Sequence, residues 1–586
     1  MNNFFAFHQA IDGYFSRNED NTMTLRCRVM TDATIDKAYI RIEPNNEEVL
    51  IEMTQEDLGS QQWWSGTIAF DPGNSVTLYV FKFLSSKQQW WLDGRGVQSF
   101  MPGRESHFRV SHDVEPADWI YDQVFYQIFP DRFNRCDSIE PDRPLHSWGE
   151  TLTHEERAFG FHGGNLPGIE QQLDYIQDLG VTALYLNPIF LSSTNHRYNI
   201  DDYHQIDPLL GDESHLVSLI SNVHQRGMKI LLDAVVNHTS NHHQWFNTQF
   251  DEFYSLREAG NPGSYHCWNG FKQLPELNYA CEGVQQNMYA GDSAFLRHWM
   301  RAPYHIDGWR LDAVHMVGEG GSSQQNAFYV KAICDAIRAE NDQAYVLGEH
   351  FYEASQWLQG DQEDGAMNYY GFAHPIRAFL AGQDIAYHPI QISAQDFEQW
   401  LSEARAKIPF KTQLAQFNLL DSHDTARFYW MLEENDALMR IAVAILFCYP
   451  GVPCIFYGDE VGMSGGNDPD CRGCFDWDSA SWNQPMRAFY QQMITWRKEL
   501  PALRYGAYLP LVAQDDVWAF ARVYQNEAVV LIVNRGETQH NLVLSSDRLG
   551  WDNVTMTDLM NGNEVGSLPD AMAPQSFRMF KLFKEQ

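Results

Sequence analysis

GWRLDAVH (308–315) is an apolar run with an acid, Asp312, near its end. Two further apolar runs carry an acid in a similar place: Glu349 in AYVLGEHF (344–351) and Asp424 in FNLLDSHD (417–424). Short aliphatic runs of this kind are typical of buried strands. A carboxylate at the end of a buried strand is costly unless it is paired or used. The three acids therefore predict one shared site at one edge of a parallel sheet.

From about residue 118, short apolar runs alternate with amphipathic stretches. GIEQQLDYIQDLG (168–180) and SHLVSLISNVHQRG (214–227) are examples of the amphipathic stretches and predict helices. Eight apolar runs are predicted as strands: QVFYQIF (123–129), VTALYLNPIF (181–190), MKILLDAVV (228–236), IDGWRLDAV (306–314), AYVLGE (344–349), AMNYYGF (366–372), QLAQFNLLD (413–421) and VPCIFYGDE (452–460). Eight such units indicate a (β/α)8 barrel, whose chemistry lies at the carboxyl ends of the strands.

The segments on either side of the barrel have a different pattern. Residues 1–115 contain short β-forming runs between polar turns, which predict an N-terminal β-sandwich, and residues 505–586 predict a second, C-terminal sandwich. The barrel is predicted over 116–238 and 291–504. Residues 239–290, after the third strand, are expected to form an inserted subdomain, because so long a connection is usually functional. The predicted fold class is α/β.

The amino-acid composition constrains the cellular compartment and the binding partners of the protein. The chain has 41 Lys and Arg against 77 Asp and Glu, a formal charge of −36 at pH 7. Such a field repels nucleic acid and anionic membranes, so neither is an expected partner. No run of 18 apolar residues predicts a membrane span. Nine sparse cysteines favour a reducing compartment, and the N-terminus lacks the pattern of a signal peptide, so we expect a cytoplasmic protein.

The strand pattern suggests roles for the acids. Side chains alternate along a strand, so Arg310 and Asp312 face the same side. A neighbouring guanidinium lowers the pKa of a carboxyl group, which suits a glycosyl nucleophile, although a structural ion pair gives the same pattern. Glu349 at a partly dry strand end is expected to have a raised pKa, as a general acid requires, although a glutamate at a helix N-terminus is the alternative. Carboxylates that converge in a cleft are what glycoside hydrolysis needs.

Polar residues beside the acids predict contacts with a sugar. DAVVNH (233–238) ends the third strand with His238, and DSHD (421–424) places His423 beside Asp424. A lone histidine is more often structural, but two histidines at barrel strand ends are reasonable donors to sugar hydroxyls. An ionised Asp424 would stabilise positive charge at an anomeric carbon.

Together these segments resemble the α-amylase superfamily (glycoside hydrolase family 13). DAVVNH, GWRLDAVH, GEH and SHD match its four signature regions in order, and LPELN (274–278) is similar to its fifth region. The layout resembles the cyclomaltodextrinase, neopullulanase and maltogenic amylase group. Finer strings are most similar to bacterial maltodextrin glucosidase: FYQIFPDRF (125–133), ALYLNPIF (183–190), HWMRAPYHIDGWRLDAVHMVGE (298–319), LGEHF (347–351), QWLQGDQEDGAMNYYGF (356–372), LLDSHDTARF (419–428) and PGVPCIFYGDEVG (450–462).

The resemblance implies a set of catalytic and substrate-binding residues. The catalytic residues would be the nucleophile Asp312, the acid/base Glu349 and the transition-state stabiliser Asp424. The residues that contact the reacting sugar would be Arg310, His238 and His423, with Tyr198 stacked beneath it and Arg472 near the glycone end of the cleft. The implied mechanism retains anomeric configuration and needs nucleophile and acid carboxyls ~5–5.5 Å apart.

Two asparagines depart from the family's pattern. The family commonly shows Tyr-Asp-Thr and Gly-Gly-Asp-Leu where this chain has Tyr-Asn-Ile (198–200) and Gly-Gly-Asn-Leu (163–166). Each change removes a charge but keeps a hydrogen-bonding group. The segment 133–148 matches the calcium-binding loop of relatives poorly, and the lone pair Cys471 and Cys474 cannot fill a tetrahedral zinc site. No cofactor is therefore expected to be required, and calcium is the alternative that this loop does not support.

The leading expectation is an exo-acting α-glucosidase that releases glucose from short α-1,4 maltodextrins. The alternative is a cyclomaltodextrinase, neopullulanase or maltogenic amylase with the same acids and a different cleft. A transglycosylase would share those acids as well, whereas a non-catalytic sugar-binding relative usually lacks one or more of them. Maltodextrins are the expected ligands, and the sequence leaves monomer and homodimer open.

Overall fold

The computed structural model describes residues 4–57, 61–112, 114–258, 260–318, 324–544 and 546–585. Its centre is a sheet of eight parallel strands: Phe125–Ile128, Ala183–Leu186, Lys229–Val235, Gly308–Asp312, Tyr345–Gly348, Gly365–Ala366, Phe417–Asn418 and Val452–Phe456. The first strand pairs with both the second and the eighth, and a parallel bridge from Met367 to Phe417 joins the sixth strand to the seventh. The sheet is therefore closed, and the predicted (β/α)8 barrel is confirmed.

Two predicted strands are mostly wrong. Only the start of 366–372 is extended, and the chain then enters a π-helical turn at Tyr369–Ala373. In 413–421 only Phe417–Asn418 are extended, because Phe410–Ala415 forms a helix. Short apolar runs buried on all sides have no periodicity that separates a strand from a helix, so packing decides between them.

Helices cover the outside of the barrel. The longer ones are Leu166–Gln171, Leu173–Leu179, Glu213–Gln225, Gln324–Glu340, Ala394–Ala406, Asp436–Cys448 and Gln484–Glu499. In Glu213–Gln225 the buried residues recur at helical spacing: Leu216, Leu219, Ile220 and Val223. The Asp212 carboxylate caps this helix by accepting from the His215 N–H at 3.1 Å. Both helices predicted from amphipathic stretches are confirmed, the first one with a break at Gln172.

The insertion after the third strand contains short helices and isolated β-bridges. Its helices are Gln244–Thr248, Phe250–Phe253, Glu282–Gln285 and Gln286–Ala290. Glu276 forms a bridge with His238, and the Leu277 N–H donates to the Asn237 carbonyl at 2.9 Å. The LPELN segment is thereby fixed beside the carboxyl end of the third strand.

Antiparallel sheets flank the barrel. The N-terminal region has a five-stranded sheet (Phe4–Phe7, Phe15–Arg17, Thr22–Thr31, Thr54–Asp57, Gln62–Ala69) and a six-stranded sheet (Lys37–Ile42, Val49–Glu52, Val76–Leu84, Gln89–Asp93, Gly96–Gln98, Phe108–Ser111). The C-terminal region has one of six strands (Ala507–Gln514, Val517–Tyr524, Glu527–Asn534, Val554–Asp558, Asn563–Glu564, Ser576–Lys584) and one of two (His540–Asn541, Ala571–Met572). The predicted fold class is confirmed, while the boundaries of the individual domains stay predictions.

The structure bears on the predictions about membrane spans, cysteines and metal sites. None of the described helices combines the length and apolar character that crossing a bilayer requires. All nine cysteines carry free thiols. Within the described ranges, no group of three or more His, Cys, Asp or Glu side chains could hold a metal ion. Cofactor independence, cytoplasmic location and oligomeric state stay predictions. The glycine-rich sequence GEGGS (318–322) predicts a loop, and all of it except Gly318 lies outside the described residues.

Candidate active site

Arg310 is the centre of the candidate site. It is fully buried in the fourth strand. Its Nη1 lies 2.9 Å from Oδ1 of both Asp233 and Asp312, and its Nη2 lies 3.1 Å from Oε1 of Glu349. One guanidinium thus contacts carboxylates from three consecutive strands, because the carboxyl ends of parallel strands meet at one edge. Burying so many acids is tolerable only with such a shared counter-charge.

Asp312 and Glu349 share the Arg310 guanidinium, whose Nη1 contacts the first and whose Nη2 contacts the second, and the two carboxyl groups interact electrostatically. Burial and the Glu349 charge raise the pKa of Asp312 well above its usual range. Burial raises the pKa of Glu349 too, but Arg310 and the Ala313 N–H, 2.7 Å from Oε2, outweigh it and lower that pKa. Of the two carboxyl groups, Asp312 is therefore the one whose surroundings favour the protonated form.

This proton position is the reverse of the sequence-based expectation, which had Asp312 ionised and Glu349 protonated. The reason is that Arg310 contacts both carboxylates, while only Glu349 also accepts from the Ala313 N–H. Ala313 has a φ of 45°, a left-handed conformation that is costly for alanine and directs its N–H at Glu349.

Asp424 lies in the loop after the seventh strand, beside two predicted binding residues. Its Oδ2 is 3.1 Å from His423 Nε2, and its Oδ1 is 3.7 Å from Arg472 Nη2. Arg472 also donates from Nε to the His423 carbonyl at 2.8 Å. Burial and the Glu349 charge raise the pKa of Asp424 to about 7. The structure thus brings the third predicted acid into electrostatic contact with the pair around Arg310.

The Tyr198 hydroxyl joins the two halves of the site. It donates to Asp233 Oδ2 at 2.8 Å and lies 2.7 Å from His423 Nε2. Burial lowers the pKa of His423 well below its usual range, and its Nδ1 accepts from the Gln127 amide at 2.8 Å. The neutral ring therefore carries its proton on Nε2, between Tyr198 and Asp424. The Tyr198 ring lies nearly parallel to His423 and to His196, at centroid distances of 5.4 and 5.8 Å. Its stacking beneath a sugar stays a prediction.

His238 keeps an unused hydrogen-bonding atom in the site. Its Nε2 is buried and has no hydrogen-bond partner among the described residues. Burial lowers its pKa to about 4, so the ring is neutral, and it is close enough to Glu349 to feel that charge. The Trp268 ring of the insertion lies 6.2 Å from the imidazole. An unpaired nitrogen at this position is available to a substrate hydroxyl.

The predicted site lacks four polar residues that the structure places within it. Asp233 is bound by Arg310, and it also accepts from the Tyr185 hydroxyl at 2.7 Å. Asn187 donates to Tyr198 at 3.0 Å, and Gln127 contacts His423. Each of the four is a polar residue inside an apolar strand run or just after one, and that is the signal that could have found them.

The two asparagines that depart from the family's pattern hydrogen-bond to loop residues. Asn199 accepts from the hydroxyls of Ser192 and Thr194 and donates to Ser193 at 2.9 Å. Asn165 caps a helix by accepting from the Gly168 N–H at 2.8 Å. In both places the amide donor is used, so each asparagine stabilises a loop next to the cleft.

The profile of the α-amylase catalytic domain matches residues 127–493, more than half of the chain. The chain belongs to the α-amylase family. It is 35% identical over 467 residues to neopullulanase 2 of Thermoactinomyces vulgaris, covering 76% of this chain and 75% of that one. It is 33% identical over 485 residues to a cyclomaltodextrinase of Geobacillus thermopakistaniensis, covering 80% and 78%. A solved cyclomaltodextrinase structure superposes with a TM-score of 0.76 at 27% identity, covering 99% of both chains. This α-amylase family member is thus similar to the cyclomaltodextrinase group, as its motifs predict.

Proposed function

We propose that this chain is a retaining hydrolase of α-1,4-linked maltodextrins, of the cyclomaltodextrinase or neopullulanase type. The observation that carries the proposal is the contact of Arg310 with Asp233, Asp312 and Glu349 in one buried cluster. Asp424 completes the acids that glycoside hydrolysis by this mechanism needs. The names of the relatives support the type, and the presence of all three predicted acids supports catalysis rather than sugar binding alone.

The placement of the two acids on either side of Arg310 suggests how the reaction starts. A glycosidic bond placed beside Asp312 and Glu349 would have its leaving oxygen within reach of Glu349 and its anomeric carbon within reach of Asp312. Glu349 would then hold the proton and pass it to the leaving oxygen, while Asp312, ionised beside Arg310, forms a bond to the anomeric carbon. In the second half, Glu349 takes a proton from water, whose oxygen displaces Asp312. Asp424 would offset the positive charge that develops on the sugar.

The glucose-releasing alternative has one structural observation in its favour. The Tyr387 hydroxyl donates to Asn467 Oδ1 at 2.5 Å and accepts from the Ala426 N–H at 3.1 Å. Ala426 is two residues from Asp424, and Asn467 is close in sequence to Arg472, which the resemblance puts at the glycone end. A bridge between the loops here would shorten the cleft on that side, as an exo-acting enzyme requires.

Product analysis on maltotriose, maltoheptaose and β-cyclodextrin tests both versions, with Asp312→Asn as the control. We expect maltose as a main product and ready cleavage of the ring, both abolished in the variant. Rapid glucose release from linear sugars with a poorly cleaved ring would instead favour the maltodextrin glucosidase. If no maltodextrin is cleaved under any condition, the hydrolase proposal is wrong.

A further inference from the structure

A second concave site lies at the end of the barrel opposite the acids. Asp118–Asp122 precedes the first barrel strand and Phe410–Ala415 precedes the seventh, so both lie at the amino ends of strands. With Phe15 from the N-terminal region and Tyr505 and Tyr524 from the C-terminal part, they line a groove of about 770 Å³. Binding pockets for small molecules have about 300–1,000 Å³. Three regions of the chain thus build a ligand-sized groove.

Aromatic rings form much of its wall. Tyr505 and Tyr524 lie 5.6 Å apart at an angle of 41°, and Trp119 and Phe15 complete the aromatic lining. All four side chains are partly exposed. Flat aromatic surface that stays open to solvent is costly to leave uncovered and suits the apolar face of a pyranose ring.

Several polar groups in the groove can form further hydrogen bonds with a ligand. The hydroxyl of Tyr121, a side chain that is only 4% exposed, lacks a hydrogen-bond partner among the described residues. A buried hydroxyl without a partner costs about 1–3 kcal/mol, which a ligand hydroxyl would recover. Asp12 and Asp118 are exposed on the rim and form no ion pair within the described ranges. They offer acceptors for further hydroxyls.

We propose that this groove is a second carbohydrate site that binds a malto-oligosaccharide remote from the catalytic acids. The identity of the sugar rests on the proposed function, whereas the preference for a neutral polyhydroxylated ligand rests on the groove itself. The basic residues of the groove, Arg17 and Lys411, are both paired with Glu115, at 2.6 and 2.5 Å. Neither basic residue of the groove is therefore spare for an anionic ligand.

Calorimetric titration of full-length Asp312→Asn enzyme with maltoheptaose tests the proposal. We expect two sites per chain, of which Tyr524→Ala removes one. Tyr121→Phe keeps the ring and loses only the hydroxyl, so the affinity of that site should fall about fivefold to tenfold. Phe583→Ala, which removes a half-exposed aromatic elsewhere on the C-terminal sheet, is the matched control and should leave both sites intact.

The outcomes separate this proposal from the catalytic one. If the titration shows one site per chain, or two sites that Tyr524→Ala leaves unchanged, the groove is not a carbohydrate site. Maltodextrin hydrolysis by the wild type would be unaffected by that result. Conversely, a chain that cleaves nothing can still show a groove site that Tyr524→Ala removes. In the wild-type background Tyr524→Ala should cleave maltotriose at the normal rate. If that substitution instead turns a dimer into a monomer in sedimentation, the groove is an interface and the proposal is wrong.

Discussion

Two clusters of buried acids lie at the same end of the barrel, and only one of them has the form of a catalytic site. In the first, Arg310 contacts three carboxylates at once. The second cluster follows the seventh and eighth strands. There Arg427 forms an ion pair with one carboxylate, that of Asp459, at 2.9 Å. Its guanidinium also donates to the Cys471 carbonyl and packs against the Phe456 ring, 4.5 Å from the centroid.

The acids of the second cluster are enclosed by other side chains, whereas the acids of the first cluster share one guanidinium and are partly open to solvent. Burial and neighbouring Asp421 raise the pKa of Asp459 well above its usual range. Glu460 is enclosed by the hydroxyls of Tyr126 and Tyr175, at 2.8 and 2.5 Å. In the first cluster, by contrast, the Asp424 side chain is 24% exposed. Acids at strand ends thus become a site only where a cation is shared among them and a substrate can reach them.

The largest expected effect is the loss of activity in Asp312→Asn. Because the amide cannot form a bond to the anomeric carbon, kcat on maltoheptaose should fall about 10⁴-fold or more. Asp459→Asn is the matched control from the second cluster, since the amide has the size of the carboxyl group and lies outside the Arg310 cluster, so kcat should change less than about threefold. Initial rates give kcat, and circular dichroism shows whether each variant is folded. An equal loss of kcat in both folded variants would mean that the two clusters do not differ in function.

Arg427→Met should destabilise the fold without changing the chemistry. Removing one partner of a buried ion pair costs about 3–5 kcal/mol of stability, because the remaining partner stays buried without a counter-charge. We expect a lower midpoint in urea unfolding and a normal kcat per folded molecule. A variant as stable as the wild type would contradict this structural role, and a variant that folds but is inactive would place Arg427 in the catalytic group.

Asp424→Asn should stabilise the protein in a pH-dependent way. The pKa of Asp424 is raised from 3.8 to about 7, so the folded state prefers the protonated form and ionisation costs stability. That cost is absent below pH 3.8, grows as the pH rises, and is complete above about pH 7. The full shift corresponds to ~4 kcal/mol, and exposure to solvent reduces it, so we expect a gain of about 1–2 kcal/mol at pH 8.

Chemical denaturation of the wild type and Asp424→Asn at pH 4 and pH 8 measures this gain. The two proteins should have the same stability at the lower pH and differ only at the higher one. A gain that is equal at both values would mean that ionisation of Asp424 is not its cause.

The smallest expected effect is that of His238→Ala. The variant loses the free Nε2, so a substrate hydroxyl loses one hydrogen bond worth about 1 kcal/mol. KM for maltotriose should rise roughly fivefold with kcat changed less than that. His224→Ala, which removes a half-buried histidine paired with Asp307 at the amino end of the barrel, is a control that should leave KM unchanged.

Much of the barrel and most of the candidate site could be predicted from the sequence. All eight strands begin within or beside a predicted run, because a buried strand needs an apolar run and a functional acid stands out at its end. The prediction was poor where an apolar run is buried on every side, as at Tyr369–Ala373. Gln127 and Asp233 were also missed, since one polar residue in a strand does not show which partner it meets.

The sequence by itself determined the class of the fold, the acids that converge and the family, since these depend on local runs and on the order of motifs along the chain. Only the tertiary structure decided how the charges are shared. Arg310 is equally placed for Asp312 and Glu349, and the Ala313 N–H is directed at one of them. Such a balance depends on distances of about 3 Å between separate strands, and no spacing in a sequence records them.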